Sequence, residues 1–229
     1  MTRLALHSAK ATGVKKSVAV LLSGRGSNFQ SLLNASLEGS LGGEISLVIS
    51  NRPGAGGLSI AQNACIETAL IDHQCYPTRE TFDQDLAGAI DSAKPDLVVL
   101  AGFMRILTPE FVARFSGRLM NIHPSLLPLY PGLHTHQRAL DNGDSHAGAT
   151  VHYVTAELDR GPPVLQARVP VNSGDDADTL AARVLEVEHR IFPMAVNWHL
   201  SGRLTWHDGS LLKDGAPVPS SGALWESAS

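Results

Sequence analysis

Cysteine is nearly absent from this chain, which holds only Cys65 and Cys75. A secreted disulfide scaffold carries more cysteine in a shorter sequence, so both are read as reduced thiols of a cytoplasmic protein. No apolar run approaches the roughly 18 residues that mark a membrane helix. Residues 1–16 are basic and contain no acid, but Leu4-Ala5-Leu6 is too short for the apolar region of a signal peptide. A flexible leader is expected there. A positive balance is also missing: 18 Lys and Arg stand against 22 Asp and Glu, a net charge of −4. That excludes a generic nucleic-acid-binding coat. What is abundant is apolar residues, at 43%, and glycine, at 21 of 229 positions. The first supports a core that needs no staple, and the second points to many tight loops.

Short apolar runs punctuate the first half. Val18–Leu22, Ile45–Ile49, Leu97–Ala101 and Leu119–Ile122 read as buried strands, with a shorter one at 69–71. Helical patterns fall between them, after Asn28, around 57–65 and over Thr81–Ala93. This alternation predicts an α/β fold, a Rossmann-like, mostly parallel central sheet flanked by helices. After residue 145 the pattern changes. Ala149–Thr155 and Val164–Val171 form a strand pair, expected as an antiparallel C-terminal extension. Leu180, Val184, Val187 and Ile191 mark the buried face of a long helix begun at Asp178 or Thr179. Asp208-Gly209 signals a hairpin between 204–207 and 211–213. Residues 17–215 are expected to form one folded unit, with halves at about 17–118 and 119–215. Residues 216–229 are expected to be a loose tail.

Several segments carry chemistry. Ser23-Gly-Arg-Gly-Ser-Asn28 follows a strand and opens a helix, the layout of an anion site. A dinucleotide fingerprint is the rival reading, with Gly24, Gly26 and Arg52 fitting an NADP enzyme, but Phe29 occupies the third glycine position. Asn121 and His123 stand two apart in a strand and so point to one side, where an amide and an imidazole suit a carbonyl oxygen gaining charge. Prolines at 124, 128 and 131 restrict the loop that follows. Asp159, held in a turn by Gly161, Pro162 and Pro163, is placed to orient a histidine and favour its cation. Five histidines crowd residues 123–152 (His123, His134, His136, His146 and His152), yet none fits a metal-binding spacing, and no metal is expected.

Taken together, SGRGSN at 23–28, VVLAGFMRIL at 98–107, NIHPSLLPLYPGLHTH at 121–136 and GATVHYVTAELDRGP at 148–162 resemble the folate-dependent formyltransferases, from about Ser17 to about His207. The segment 131–136 is similar to members that act on a phosphoribosylated glycinamide. The resemblance implies formyl transfer from 10-formyltetrahydrofolate, a co-substrate, to the amine of 5-phosphoribosylglycinamide in purine biosynthesis. It places the catalytic trio on Asn121, His123 and Asp159. It places the substrate phosphate on Gly26, Ser27 and Asn28, and the acid that meets the amine on Glu188. Folate contacts fall on Arg79, Met104, Arg105, Ile106, Leu107 and Asn121, with backbone around Val154–Asp159. Arg25, Leu129, Ala156, Arg160 and Leu185 depart from residues common in the family; none of them is in the trio.

The implied partners are small molecules, without nucleic acid or membrane, for a monomer or homodimer. A formyltetrahydrofolate hydrolase is the main alternative; that family adds an N-terminal regulatory domain, whereas this resemblance begins near residue 17. A methionyl-tRNA formyltransferase is disfavoured because no C-terminal tRNA-binding domain is expected after residue 210.

Overall fold

In β1, Ser17–Leu22, alternate side chains serve two separate cores. Val18, Val20 and Leu22 pack on one face of the sheet, while Ala19 and Leu21 pack on the other. Such a strand must be covered on both sides, and the computed structural model, which describes residues 15–207 and 210–226, shows how.

From β1 the chain runs through α1 (Ser27–Leu37), β2 (Glu44–Ser50), α2 (Gly56–Asn63) and β3 (Glu67–Leu70). A 3₁₀ turn at His73–Cys75 leads to α3 (Arg79–Ala93), β4 (Leu97–Leu100), α4 (Pro109–Arg114) and β5 (Leu119–His123). Then come α5 (Thr135–Asp141), β6 (His146–Tyr153), β7 (Pro163–Pro170) and α6 (Ala177–Leu200). The chain closes with β8 (Leu204–His207), β9 (Ser210–Lys213), β10 (Ala216–Pro217) and β11 (Ala223–Trp225).

Eight strands form the main sheet in the order β11-β7-β6-β5-β4-β1-β2-β3. β1 to β5 are parallel, and β6 runs antiparallel to both β5 and β7. This is the α/β sheet with an antiparallel extension that the sequence predicts. The strand order reverses between β1 and β4, so their C-terminal ends open a crevice, the usual place for a ligand in such folds. α1 and α6 cover one face, through Phe29, Leu32, Leu180, Val184 and Ile191; α3 and α4 cover the other, through Phe82, Leu86, Ile90, Phe111 and Phe115.

Three features depart from the sequence reading. α6 starts at Ala177 with Asp176 as its cap, its carboxylate accepting from Thr179 N–H at 2.8 Å. In a run of acids any of several can cap; Asp175 is committed to Arg183 at 2.6 and 2.9 Å, which leaves Asp176 for the helix. Second, α4 and α5 are too short, at six and seven residues, to show a helical period, and the sequence predicts neither. Third, the described part of the tail is paired: Ala216–Pro217 joins β9, and Ala223–Trp225 adds a parallel edge strand to β7. Local composition reads as loose because each paired stretch is only two or three residues long, and Ala223–Trp225 pairs with Leu165–Ala167, far away in sequence. The β8–β9 hairpin forms as predicted, its turn residues Asp208 and Gly209 lying outside the described residues. Residues 1–14 of the expected leader lie outside them as well.

Candidate active site

The anion loop joins β1 to α1. Gly26 caps α1 with a positive φ of 84°, and no described side chain caps the helix, so its first-turn N–H groups are left without a partner among the described residues. Glycine is required twice over at this position: a Cβ there would lie 2.6 Å from Gly57 Cα. Gly57 N–H in turn donates to Gly24 O at 3.2 Å, so the start of α2 holds the loop from behind. Ser23 Oγ donates to Asn51 Oδ1 at 2.6 Å and accepts from Met104 N–H at 2.7 Å, tying the ends of β1, β2 and β4 together. Phe29, at the third glycine position of a dinucleotide fingerprint, is fully buried in the core.

Glu188 reaches the same loop from α6. Its carboxylate accepts from Asn28 Nδ2 at 2.6 Å, and both residues are buried. Burial pushes the Glu188 carboxyl up to about 7, opposed by the Asn28 bond. Asn28 Oδ1 is buried with no partner among the described residues, an acceptor left open beside the carboxylate.

Further along the crevice, β5 ends in Asn121 and His123. Asp159 sits between two imidazoles: its Oδ2 is 3.5 Å from His123 Nδ1 and its Oδ1 is 3.7 Å from His152 Nε2. The carboxylate also accepts from Gly132 N–H at 2.8 Å, which links the 124–135 loop to the turn carrying Asp159. Asp159 has φ 52°, a left-handed conformation costly for a non-glycine residue, of the order of 1–3 kcal/mol. Gly161 makes that turn possible, since a Cβ there would meet Tyr153 O at 1.7 Å. His123 Nε2 lies 2.9 Å from Tyr130 O, so both its ring nitrogens face oxygen acceptors. An imidazolium can donate to both at once.

Residues 104–107 form another wall. Met104 and Ile106 expose apolar side chains, 58% and 53% accessible, while Leu107 turns into the α3–α4 core and offers a ligand only its backbone. Arg105 stacks over Phe82 at 4.7 Å from the ring centroid, its Nε buried without a hydrogen-bond partner among the described residues. Arg79 opens α3 and is exposed; its charge acts on buried Asp83, which accepts from Thr108 N–H at 2.6 Å. Burial pushes the Asp83 carboxyl up, opposed by Thr108 and then by the two arginines.

The structure therefore gathers the predicted trio at one point and the predicted anion loop with Glu188 at another. Residues 16–196 match the formyl transferase family. The chain belongs to that family. It is 48% identical over 205 residues to the phosphoribosylglycinamide formyltransferase of Escherichia coli strain K12, covering 90% of this chain and 97% of that one. A solved phosphoribosylglycinamide formyltransferase from Coxiella burnetii aligns with a TM-score of 0.89 and 46% identity, covering 93% of this chain and 100% of that one. A formyltetrahydrofolate deformylase from Pseudomonas syringae pv. tomato is more distant, at 28% identity and a TM-score of 0.81, covering 87% of this chain and 66% of that one.

Two groups in this formyl transferase escape a reading of the sequence. The first is His152, which reads there as one of five clustered histidines. It is 2% exposed and stands directly across from Asn121 in the β5–β6 register. The second is a buried set beneath the proline-rich loop. Thr150 Oγ1 donates to Ser125 O at 2.7 Å and accepts from Leu127 N–H at 3.1 Å, and Gln166 Nε2 donates to Leu127 O at 2.7 Å. A period-2 pattern with polar residues on a buried face was the available signal. The remaining histidines diverge. His136 is on α5, its pKa lowered by burial and then by His123; His134 precedes that helix, and His146 begins β6 beside Ser145 Oγ. Among the described residues, no three metal-ligating side chains converge, and no helix is long and apolar enough to cross a membrane.

Proposed function

We infer that this formyl transferase moves the formyl group of 10-formyltetrahydrofolate to the amine of 5-phosphoribosylglycinamide, a step of purine biosynthesis. The observation that carries this reading is one carboxylate, Asp159, set 3.5 Å from His123 at the end of β5 and 3.7 Å from His152 on β6, in the crevice that also holds a backbone anion loop. Identity with a phosphoribosylglycinamide formyltransferase along nearly its whole length supports it.

The substrate phosphate docks on the N–H groups of Gly26, Ser27 and Asn28. Glu188 and Asn28 Oδ1 accept from donors further along the substrate, the amine among them. The folate lies against Met104, Ile106 and the backbone of Leu107, with Arg79 and Arg105 meeting its carboxylates and the 154–159 backbone on the other side. The neutral amine attacks the formyl carbon; a C–N bond forms and the carbonyl becomes an oxyanion. Asn121 N–H and the His123 imidazolium stabilise that charge. His123 gives up part of its bond to Tyr130 O as the oxyanion competes for the Nε2 proton. Asp159 keeps His123 in place and relays the amine proton, directly or through one water, to the departing folate nitrogen as the second C–N bond breaks. No covalent enzyme intermediate forms, and no metal takes part. Residues 17–118 supply the phosphate side and 119–215 the catalytic side. The enzyme works on small molecules alone, without nucleic acid, as a monomer or homodimer in the cytoplasm.

One assay tests the reading. The protein is mixed with 10-formyltetrahydrofolate, with and without phosphoribosylglycinamide, and tetrahydrofolate release is followed. Release that depends on the acceptor is expected. Release without it is the deformylase reaction, and no release in either case overturns the assignment.

A further inference from the structure

We propose that His152 is a positioning residue that sets which end of the Asn121 amide faces the reacting carbonyl. The inference rests on the catalytic reading of Asn121 given above. An asparagine side chain presents a donor or an acceptor depending on a half-turn about its last bond, and only the donor end stabilises an oxyanion. Something in the site must hold the amide the right way round.

His152 does this through two hydrogen bonds made by its two ring nitrogens. Nδ1 lies 2.9 Å from the Tyr153 carbonyl oxygen, which can only accept, so the ring proton of a neutral His152 sits on Nδ1. Nε2 then carries a lone pair. It lies 3.1 Å from Asn121 Nδ2, which donates to it. The opposite orientation would set Asn121 Oδ1 against that lone pair, two acceptors facing each other. Burial disfavours the cationic ring that would remove the conflict: His152 is 2% exposed, and its pKa is held below the ordinary imidazole range by desolvation, despite Asp159. Asn121 Nδ2 carries a second N–H, which has no hydrogen-bond partner among the described residues, and Asp159 Oδ1 lies 3.7 Å from the same His152 Nε2. Cross-strand pairing makes the arrangement rigid, since Asn121 and His152 are direct neighbours in the β5–β6 ladder.

The role separates His152 from a residue that merely fills space. An acceptor, not a ring, is what Asn121 needs. His152→Phe removes the acceptor and frees the amide to rotate; kcat should fall by about 30–300-fold, no more than for loss of one oxyanion donor, with KM for both substrates within about threefold. His152→Gln restores an acceptor oxygen and should recover at least about tenfold of that loss. In the double variant Asn121→Ala/His152→Phe, kcat should match that of Asn121→Ala alone, because a positioning residue has nothing left to position. Nitrogen-15 NMR of the folded wild-type protein should show Nδ1 protonated and Nε2 unprotonated at neutral pH, a reading that needs no variant to fold.

The outcomes divide cleanly. Additive losses in the double variant, or an NMR signal with the proton on Nε2, overturn the role of His152 and leave the catalytic reading standing. Full turnover in Asn121→Ala overturns that reading itself, and this proposal with it.

Discussion

Asn28 and Glu188 are 160 positions apart in sequence, yet the amide of one donates to the carboxylate of the other at 2.6 Å. The bond joins the mouth of the anion loop to the middle of α6. Two helices thereby meet at one place: the first turn of α1 brings the backbone N–H groups of the proposed phosphate cradle with Asn28 Oδ1, and α6 brings the Glu188 carboxylate. The arrangement has a cost, because a buried carboxylate with one neutral partner prefers to keep its proton.

That cost is measurable as pH-dependent stability. The folded-state pKa of about 7 is above the usual 4.5, so the native state holds a proton that the unfolded chain has already lost between those values. Stability from this group is therefore full below about pH 4.5, declines as pH rises towards 7, and is flat above; the total is at most about 3 kcal/mol. Glu188→Gln should match wild type in urea unfolding near pH 4.5 and exceed it by about 1–3 kcal/mol at pH 8, while losing affinity for phosphoribosylglycinamide. Equal stability of the two proteins at pH 8 would contradict the burial argument.

Asn121→Ala and His123→Ala should each lower kcat by about 100–1,000-fold, the usual consequence of losing one oxyanion donor. KM should change little, since the proposed interaction is made only in the transition state. Steady-state kinetics at saturating co-substrate checks both numbers.

Charge reversal at the anion loop acts on binding instead. Ser27→Asp places a carboxylate where the substrate phosphate is proposed to dock, and should raise KM for phosphoribosylglycinamide by about tenfold or more with folate binding intact. Calorimetric titration of each ligand separately distinguishes this from a general loss of structure. Unchanged affinity for the phosphorylated ligand would remove the phosphate from this loop.

Gly161→Ala tests the turn that carries Asp159. Its Cβ would sit 1.7 Å from Tyr153 O, so the turn must open and Asp159 must leave His123. A substantial loss of kcat is expected, with the thermal transition lowered but still cooperative. Activity close to wild type would mean that Asp159 does not act from this position.

The strands around the crevice were legible because they announce themselves locally. Val18–Leu22 and Leu97–Ala101 are short, wholly apolar runs, and only a sheet covered on both faces uses such runs. The trio was legible in part. Asn121 and His123 share a face by the two-residue period of a strand, but nothing local brings Asp159 to them; its assignment came from resemblance to a family. α4 and α5 were not legible, being shorter than the period that would reveal them. Ala223–Trp225 was not legible either, since three residues become a strand only when β7 offers an edge.

The sequence by itself therefore determined the layer order, the strand–glycine loop–helix segment at 23–28 and the shared face of Asn121 and His123, all of which follow from spacing within a few residues; Asp159 joined them only through the family resemblance. The tertiary structure alone decided the pairings: Asn121 with His152, Asp159 with two histidines, Asn28 with Glu188. Strand register and helix docking set those distances. They arise from burying side chains distant in sequence, which no local pattern records.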